Sequence, residues 1–461
     1  MRAHEAGALH GGHGTRGPDW LRTPDNINAL FRPLWPKTMR RADDGALHVG
    51  GVDVRELAAE FATPAYVFDE ADFRDRCRDF REAFAGAGIF YAAKAFCAKA
   101  VLRIVVEEGL NLDVCTGGEL AVALAAGVPP ERIKVHGNNK SLAELRRALT
   151  AGVGWIVVDS FDEIARLASL AQELGVRPKV MVRVTVGVEA HTHEFIATAH
   201  EDQKFGFSFG SGKAFEAAAQ IMREDVLELV GLHSHIGSQI FDTSGFEVSA
   251  RRVLKLQDQL RTEFGVELPE LDLGGGFGIA YTSQDDPATA ADLAGRLLKI
   301  VEQECAGRSL TVPHLSVEPG RALVGPAMFT LYEVGTVKDV DGIRTYVSVD
   351  GGMSDNIRTA LYDASYSATL ANRASAAEPM LARVVGKHCE AGDVIVKDEF
   401  LPADLEPGDL IAVPGTGAYC RSMASNYNHV PRPPVVAVGG GSARVIVRRE
   451  TEDDLLALDV G

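Results

Sequence analysis

The sequence predicts an α/β fold in which a (β/α)8 barrel of the TIM type precedes a C-terminal all-β domain. Three observations support this prediction. Strand-like and helix-like segments alternate from residue 66 onward, eight strand-like segments follow one another over about 250 residues, and short β-rich runs take over after Arg321. A doubly wound open sheet is the alternative that this pattern leaves open.

The eight predicted strands are short apolar runs, mostly separated by amphipathic stretches. In chain order they are IFYAAKA (89–95), LDVCT (112–116), IKVHG (133–137), WIVVDS (155–160), KVMVRV (179–184), LVGLHSH (229–235), LDLGGG (271–276) and HLSVEP (314–319). Stretches such as SLAELRRALTAG and DEIARLASLAQELG end in glycine, which commonly stops a helix. YVFD (66–69) leads into the first helical stretch.

After Arg321 the chain consists of β-rich runs punctuated by Gly, Pro and Asp, which predict a second domain. VGGGSA (438–443) lies between two such runs and is interpreted as a hairpin turn. We predict a flexible tail over residues 1–26, a segment over 27–65 that packs with the β domain, a barrel over 66–325 and the β domain over 326–461.

Composition and charge narrow the class of protein. Apolar residues make up 46% and charged residues 24% of the chain, as expected for a globular protein. With 47 basic and 64 acidic residues, the net charge of −17 argues against nonspecific binding to nucleic acid or to an anionic membrane. There is no apolar run of membrane-spanning length, no signal-peptide core and no CxxC motif. We therefore expect a cytoplasmic chain with reduced thiols.

Reactive residue types recur at the ends of the predicted strands, where TIM-type barrels have their active sites. In strand order they are Lys94, Asp113, His136 with Asn138, Arg183, His235, Gly274–Gly276 and Glu318–Arg321. This agreement between position and residue type predicts an active site at the C-terminal edge of the barrel.

Lys94 is unusual because period-two alternation puts Phe90, Ala92 and Phe96 on its own face of the strand. We therefore expect a buried lysine, which is costly when unpaired. Glycines 274–276 would expose N–H groups at a helix start and bind phosphate. Together with Glu318 these features suggest pyridoxal 5′-phosphate (PLP), joined to Lys94 as a Schiff base with Glu318 at the ring nitrogen.

HSH (233–235) invites a metal interpretation, and a barrel metallohydrolase is one alternative, because alternate residues share a strand face. No carboxylate or further histidine with ligand spacing accompanies it in the sequence. We therefore expect no metal, and interpret one ring as stacking on a flat cofactor. HTH (191–193) begins a polar loop that runs to Lys204, and such a loop could close over a substrate as a lid.

Eight motifs make the sequence resemble the alanine-racemase-like (fold type III) enzymes, and within them the diaminopimelate decarboxylases, from about residue 55 to the C-terminus. The motifs are YAAKAF, DVCTGGEL, HSHIGSQ, GGGFG, EPGR, DGGMSDNIR, GKHCEAGD and GAYCRSMASNYN. The resemblance implies a homodimeric PLP barrel enzyme with active sites shared between subunits. It also implies a carboxy-lyase that converts meso-2,6-diaminopimelate to L-lysine and CO2, the last step of lysine biosynthesis.

The resemblance also implies roles for individual residues. Lys94 corresponds to the lysine that binds PLP, His235 to the ring that stacks on the pyridine, and Glu318 to the partner of the ring nitrogen. Asp113 and Glu119 match a support pair near the lysine. The phosphate and ring contacts correspond to Ser238, Gly275, Gly276, Gly320 and Arg321.

Substrate contacts are implied for Arg321, Arg358, Tyr362, Glu390 and Tyr419, of which Tyr419 also contacts the cofactor. Cys389, delivered with Glu390 from the second subunit, is implied as the acid that reprotonates the substrate after CO2 leaves. The two arginines suit a second carboxylate, and Glu390 suits a distal ammonium group. Meso-diaminopimelate has both groups, whereas ornithine has no carboxylate at its far end.

Three alternatives remain within this resemblance. Ornithine or arginine decarboxylases share the barrel, the glutamate and the cysteine. Alanine racemases use an arginine at the ring nitrogen, where EPGR offers Glu318. A noncatalytic PLP-binding homologue would keep the barrel without the chemistry.

Overall fold

The computed structural model describes residues 17–187 and 203–461, which form two compact units. The first, the barrel unit, comprises Arg74–Gly278 and Pro287–Leu323. The second, the β unit, runs from the start of the described chain to Phe73 and includes Ile279–Asp286 and Val324–Gly461. The HTH segment and the predicted lid up to residue 202 lie outside the described residues.

The described residues contain strands in both units. In chain order they are β1 (Arg40–Arg41), β2 (Leu47–Val49), β3 (Val52–Asp53), β4 (Ala65–Asp69), β5 (Gly88–Ala92), β6 (Asn111–Val114), β7 (Ile133–Val135), β8 (Trp155–Val158), β9 (Lys179–Thr185), β10 (Phe207–Ser208), β11 (Glu228–His233), β12 (Glu270–Asp272), β13 (His314–Val317), β14 (Met328–Val340), β15 (Arg344–Val349), β16 (Thr369–Leu370), β17 (Pro379–Val385), β18 (Val394–Pro402), β19 (Leu410–Pro414), β20 (Val435–Gly439) and β21 (Ser442–Val447).

The α-helices of the described residues are α1 (Val54–Phe61), α2 (Glu70–Ala83), α3 (Lys99–Glu107), α4 (Gly117–Ala126), α5 (Leu142–Ala151), α6 (Phe161–Leu174), α7 (Lys213–Glu224), α8 (Ser244–Phe264), α9 (Ala290–Ala306), α10 (Arg321–Val324), α11 (Arg358–Tyr362) and α12 (Glu452–Leu456). None of these helices combines the length and the apolar character needed to cross a membrane.

Eight parallel strands of the barrel unit close on themselves. Their order around the barrel is β9, β11, β12, β13, β5, β6, β7 and β8, and β8 pairs back to β9. Each of the eight predicted strands overlaps one of these strands, so the predicted (β/α)8 barrel is confirmed. Strand β10 pairs in parallel with β9 outside this ring. Closure brings the carboxyl ends of all eight strands to one edge.

Local sequence signals set the ends of the barrel helices. Ser141 accepts a hydrogen bond from the Glu144 N–H at 3.2 Å, and the Glu144 carboxylate accepts the Ser141 N–H in return, so α5 begins with a capping box. Helices α4, α5 and α6 end at glycines in the left-handed conformation. Glycine adopts the left-handed conformation at little steric cost, which explains why the helices stop at the predicted glycines.

The β unit is built around the 13-residue strand β14, which pairs with β4, β15 and β19. Strand β4 contains the YVFD segment and belongs to this sheet. Strands β20 and β21 pair antiparallel with Gly439 opposite Ser442, which confirms the hairpin interpretation of VGGGSA. A separate sheet of β1, β2 and β3 lies in the same unit. The limits predicted for the tail, the N-terminal segment, the barrel and the β domain stay a prediction.

The core of the β unit gathers around Phe329. This residue is fully buried, and its ring lies edge-on to Trp35 with the ring centroids 6.3 Å apart. Apolar side chains from several elements complete the cluster, among them Leu47, Leu57 and Val436. Residues from both ends of the chain thus stabilise one core.

We expect Phe329→Ala to lower the free energy of unfolding of the β unit by about 3–5 kcal/mol, because a buried ring is lost and a cavity remains. Urea unfolding followed by circular dichroism measures this change. Ile343→Ala, at a position 56% exposed, is the matched control and should change stability by less than about 0.5 kcal/mol. Equal effects of the two substitutions would contradict this description of the core.

Candidate active site

Lys94 lies just beyond the end of the first barrel strand. Strand β5 ends at Ala92, and a 3₁₀ turn over Ala93–Ala95 follows it. Ala93 and Ala95 are buried, whereas Lys94 is exposed, so the expectation of a buried lysine was wrong. The reason is that period-two alternation applies only while the strand continues. The turn carries the lysine past the strand end, at the edge where the other candidates lie.

The predicted support pair lies within electrostatic range of this lysine. Burial and the negative charge of Glu318 raise the pKa of Asp113 well above its usual range, and Lys94 opposes this shift. Burial also raises the pKa of Glu119, again opposed by Lys94, and its carboxylate accepts the Cys115 N–H at 2.6 Å. Lys94, Asp113 and Glu119 therefore form one electrostatic group.

Glu318 follows β13 directly and is buried at the centre of the site. Its Oε2 lies 3.3 Å from His233 Nε2, and its Oε1 lies 2.8 Å from His136 Nε2 and 4.0 Å from Lys134 Nζ. Burial raises the pKa of Glu318, but the contacts with His136 and then His233 outweigh it and hold this pKa well below its usual range. The carboxylate is therefore ionised near neutral pH.

A buried ion pair lies next to Glu318 inside the barrel. Lys134 of β7 donates to Asp272 of β12, and both side chains are fully buried. The Lys134 ammonium also lies 3.7 Å from the centre of the Phe90 ring. The sequence interpretation missed this pair, whose only signal was a charged residue inside an apolar run, as in IKV and LDL. A charge at such a position requires a buried partner.

His235 lies two residues beyond the end of β11. Its Nδ1 accepts a hydrogen bond from the Gly275 N–H at 3.2 Å, which orients the ring. Burial, and then the positive charges of Lys94 and Arg183, lower the pKa of His235 well below its usual range. The imidazole is therefore neutral near pH 7.

The glycine run after β12 lets backbone segments approach closely. A Cβ at Gly275 would lie 2.1 Å from the Glu318 carbonyl oxygen, and one at Gly276 would lie 2.3 Å from the Gly237 carbonyl oxygen. Gly276 also has a φ of 104°, which L side chains rarely adopt. The expected helix start is absent here, since α9 begins only at Ala290. The expected exposure of all three N–H groups is also wrong, because those of Gly274 and Gly275 donate to Asp272 and His235. A phosphate at this loop would therefore meet the Gly276 amide without a helix dipole.

The EPGR turn completes this side of the site. The Arg321 guanidinium is buried, and its Nη2 donates to Ser238 Oγ at 2.9 Å. A Cβ at Gly320 would lie 3.0 Å from the Ala92 Cβ, so this glycine allows the turn to pack against the end of β5. The predicted contacts Ser238, Gly320 and Arg321 thus lie together in the barrel unit.

Other predicted residues belong to the β unit. Arg358 is buried, with its guanidinium carbon 4.7 Å from the centre of the Tyr281 ring, and its Nη1 donates to the Tyr366 hydroxyl at 2.5 Å. Among the described residues, Arg358 Nε has no hydrogen-bond partner. Tyr362 is half-buried at the end of α11. The arginine therefore retains one donor for an external acceptor.

Cys389 is an exposed free thiol on the loop between β17 and β18. The Asn428 side chain accepts its backbone N–H at 3.0 Å, and neighbouring Glu390 is half-buried. His388 does not share this exposure, because its ring is buried and its Nε2 lies 2.8 Å from Ser354 Oγ. The loop therefore presents the thiol and turns the adjacent imidazole inward.

Tyr419 adopts a φ of 70°, a conformation that is strained for a bulky residue. The residues on either side, Ala418 and Cys420, are buried, and Tyr419 itself is half-buried. Strained non-glycine residues concentrate at functional sites, so this backbone geometry is consistent with the expectation that Tyr419 belongs to the active site.

The structure corrects one premise about HSH. His233 is accompanied in space by a further histidine and a carboxylate, because ligand atoms of His136, His233 and Glu318 lie within 4.8 Å of one another. Sequence spacing could not reveal this group, since its members come from three different strands. The ammonium of Lys134, 4.0 Å from Glu318, disfavours a metal cation at this position.

The residues of the barrel edge fit PLP. Glu318 Oε1 is buried and has no aligned hydrogen-bond donor among the described residues, so it can accept a protonated ring nitrogen. The glycine loop with Ser238 and Arg321 can hold a phosphate, and the exposed Lys94 can reach an aldehyde. A lysine, a carboxylate and a phosphate site on one edge match the three reactive parts of this cofactor.

Comparison with known proteins agrees with this geometry. Residues 70–325 match the model of the family described as "Pyridoxal-dependent decarboxylase, pyridoxal binding domain". The diaminopimelate decarboxylase of Mycobacterium bovis is 58% identical over 93% of this chain and 98% of its own length. That of Mycobacterium leprae is 54% identical over 100% of both chains.

A solved structure shows the same similarity in three dimensions. The diaminopimelate decarboxylase from M. jannaschii, crystallised in complex with L-lysine, superposes with a TM-score of 0.86 at 32% identity. The match covers 92% of this chain and 98% of that one. The chain therefore belongs to the diaminopimelate decarboxylase family of pyridoxal-dependent decarboxylases.

Proposed function

We propose that this chain catalyses the PLP-dependent decarboxylation of meso-2,6-diaminopimelate to L-lysine and CO2, the last step of lysine biosynthesis. The observation that supports it most is the buried, ionised Glu318, with one oxygen lacking an aligned donor, on the same barrel edge as Lys94. A carboxylate here suits a protonated pyridine nitrogen. The names of the relatives, and the L-lysine bound to the M. jannaschii protein, support the substrate and product.

The barrel edge would hold the cofactor. Lys94 would bind it covalently through its amine, Glu318 would accept the ring N–H, and the neutral His235 would stack on the ring. Ser238 and the Gly276 backbone would contact the phosphate, whereas the Gly275 N–H is already donated to His235. Bound PLP supplies a ring that withdraws electrons from the substrate α-carbon and so stabilises the carbanion left by CO2.

The β unit would contribute substrate recognition. Arg358 retains an unpartnered Nε and would bind the carboxylate that is kept in the product. We infer the same kind of contact for Arg321, with Tyr362 and Tyr419 as polar contacts. Glu390 would bind the distal ammonium group. A diamino acid without the second carboxylate would leave the buried Arg358 Nε–H without an acceptor, which is costly.

Cys389 would donate the proton that replaces CO2 at the α-carbon. Its exposure in the structure allows the thiol to reach a substrate, and a thiol is a suitable acid near neutral pH. We infer that Cys389 and Glu390 act in the active site of the second subunit of a homodimer. A cytoplasmic location stays a prediction.

A direct activity assay tests the identity of the proposed substrate. We expect CO2 release from meso-diaminopimelate in the presence of PLP, with kcat/KM about 10⁴-fold above that for ornithine, because a site built for a polar group rejects analogues that lack it. Lys94→Ala is the matched inactive control. Turnover of ornithine without turnover of meso-diaminopimelate would refute the substrate. PLP binding without CO2 release from either would indicate a noncatalytic homologue.

Cys389→Ala should lower kcat by about 10²–10⁴-fold, because the general acid is lost, while the absorbance spectrum of the bound cofactor stays unchanged. Stopped-flow CO2 release and a PLP titration measure the two effects. Loss of PLP binding in this variant would instead assign the thiol a structural role.

Subunit mixing tests the shared site. Equal amounts of Lys94→Ala and Cys389→Ala chains should regain about a quarter of the wild-type activity, because half of the dimers are mixed and each mixed dimer has one intact site. Self-mixed samples of each variant serve as controls. No recovery after verified exchange of subunits would place both residues in the same chain's site.

A further inference from the structure

Two histidines of the barrel have no role in the function described so far. His136 follows β7 and His233 ends β11, and both are buried against Glu318. Their rings pack edge to face, with centroids 4.8 Å apart and planes at 65°. The two imidazoles thus form a histidine pair that meets one oxygen each of a single carboxylate.

Glu318 needs such partners because a buried carboxylate is stable only when its charge is compensated. Lys134 lies 4.0 Å from it but donates directly to Asp272, so this ammonium is shared. Other groups near Glu318 include the two imidazoles, His235 and Asp113, whose Oδ1 lies 3.7 Å from His136 Nε2. Of this pair, His233 Nε2 is in hydrogen-bond contact with Glu318 Oε2, whereas His136 Nε2 lies 2.8 Å from Oε1 without hydrogen-bond alignment.

His136 is a neutral ring. Burial lowers the pKa of His136 to about 3, although Glu318 opposes this shift, so the ring carries no charge near neutral pH. A neutral imidazole can donate one N–H to the carboxylate without neutralising it. The two rings come from different strands, so they fix the orientation of the carboxylate as well as its charge.

We propose that His136 and His233 are positioning residues that hold the Glu318 carboxylate ionised and oriented toward the cofactor ring nitrogen. This inference rests on the proposed function, because it assumes PLP at the barrel edge. It predicts that each histidine contributes to cofactor affinity only through Glu318, and only when the ring has a nitrogen to bind.

The test measures binding of two cofactors to the apoprotein by absorbance titration. One is PLP, and the other is its 1-deaza analogue, in which C–H replaces the ring nitrogen. We expect His233→Leu to bind PLP about tenfold more weakly than the wild type and to bind the deaza analogue equally well. His136→Leu should behave in the same way. His233→Gln, which keeps an N–H near the Nε2 position, should recover most of the loss.

Two controls test whether each histidine acts only through Glu318. His314→Leu changes an exposed histidine of the same barrel and should leave both affinities unchanged. In a Glu318→Gln background, His233→Leu should cause no further loss for PLP, because the two residues act as one unit. Thermal melts of each apoprotein verify that it is folded.

An equal loss for both cofactors would overturn the proposal, because it would mean that the histidine only supports packing. An unchanged affinity for PLP would overturn it as well, as would additive losses in the double variant. A further outcome is that the variants show the expected affinities while the wild-type chain releases no CO2 from meso-diaminopimelate. That result would refute the proposed function and leave the proposal for the histidine pair supported.

Discussion

The constraint on which the site depends is a negative charge buried inside a closed barrel. Glu318 is compensated by His136, His233 and Lys134, and Lys134 is itself paired with Asp272. These residues come from β7, β11, β12 and β13 or from the positions that follow them, and only closure of the sheet brings them together. The fold therefore stabilises a carboxylate that would otherwise take up a proton.

This buried charge is coupled to the rest of the edge. Asp272 accepts the Gly274 N–H at 2.7 Å as well as the Lys134 ammonium, so the same carboxylate anchors the glycine loop and the charge network. Gly275 in turn orients His235. Glu318, His235 and the glycine loop, for which we propose roles in cofactor binding, are thus linked at one edge by hydrogen bonds and ion contacts, which favours a pre-organised site.

The sequence predicted the barrel well, because the strand and helix periods differ clearly and each predicted strand proved real. It failed where a local pattern ended within one or two residues. Lys94 is exposed because β5 stops at Ala92, and the glycine loop has no helix after it. The histidine pair and the Lys134–Asp272 pair were beyond prediction, since partners as far apart as residues 134 and 272 meet only after barrel closure.

The central claim is that Lys94, at the barrel edge that holds Glu318, binds PLP covalently. The most direct test reduces the PLP-loaded protein with borohydride and locates the modified residue by peptide mass spectrometry. We predict a single stoichiometric pyridoxyl adduct on Lys94. An adduct on another lysine, or an active protein in which reduction leaves Lys94 unmodified, would contradict this account.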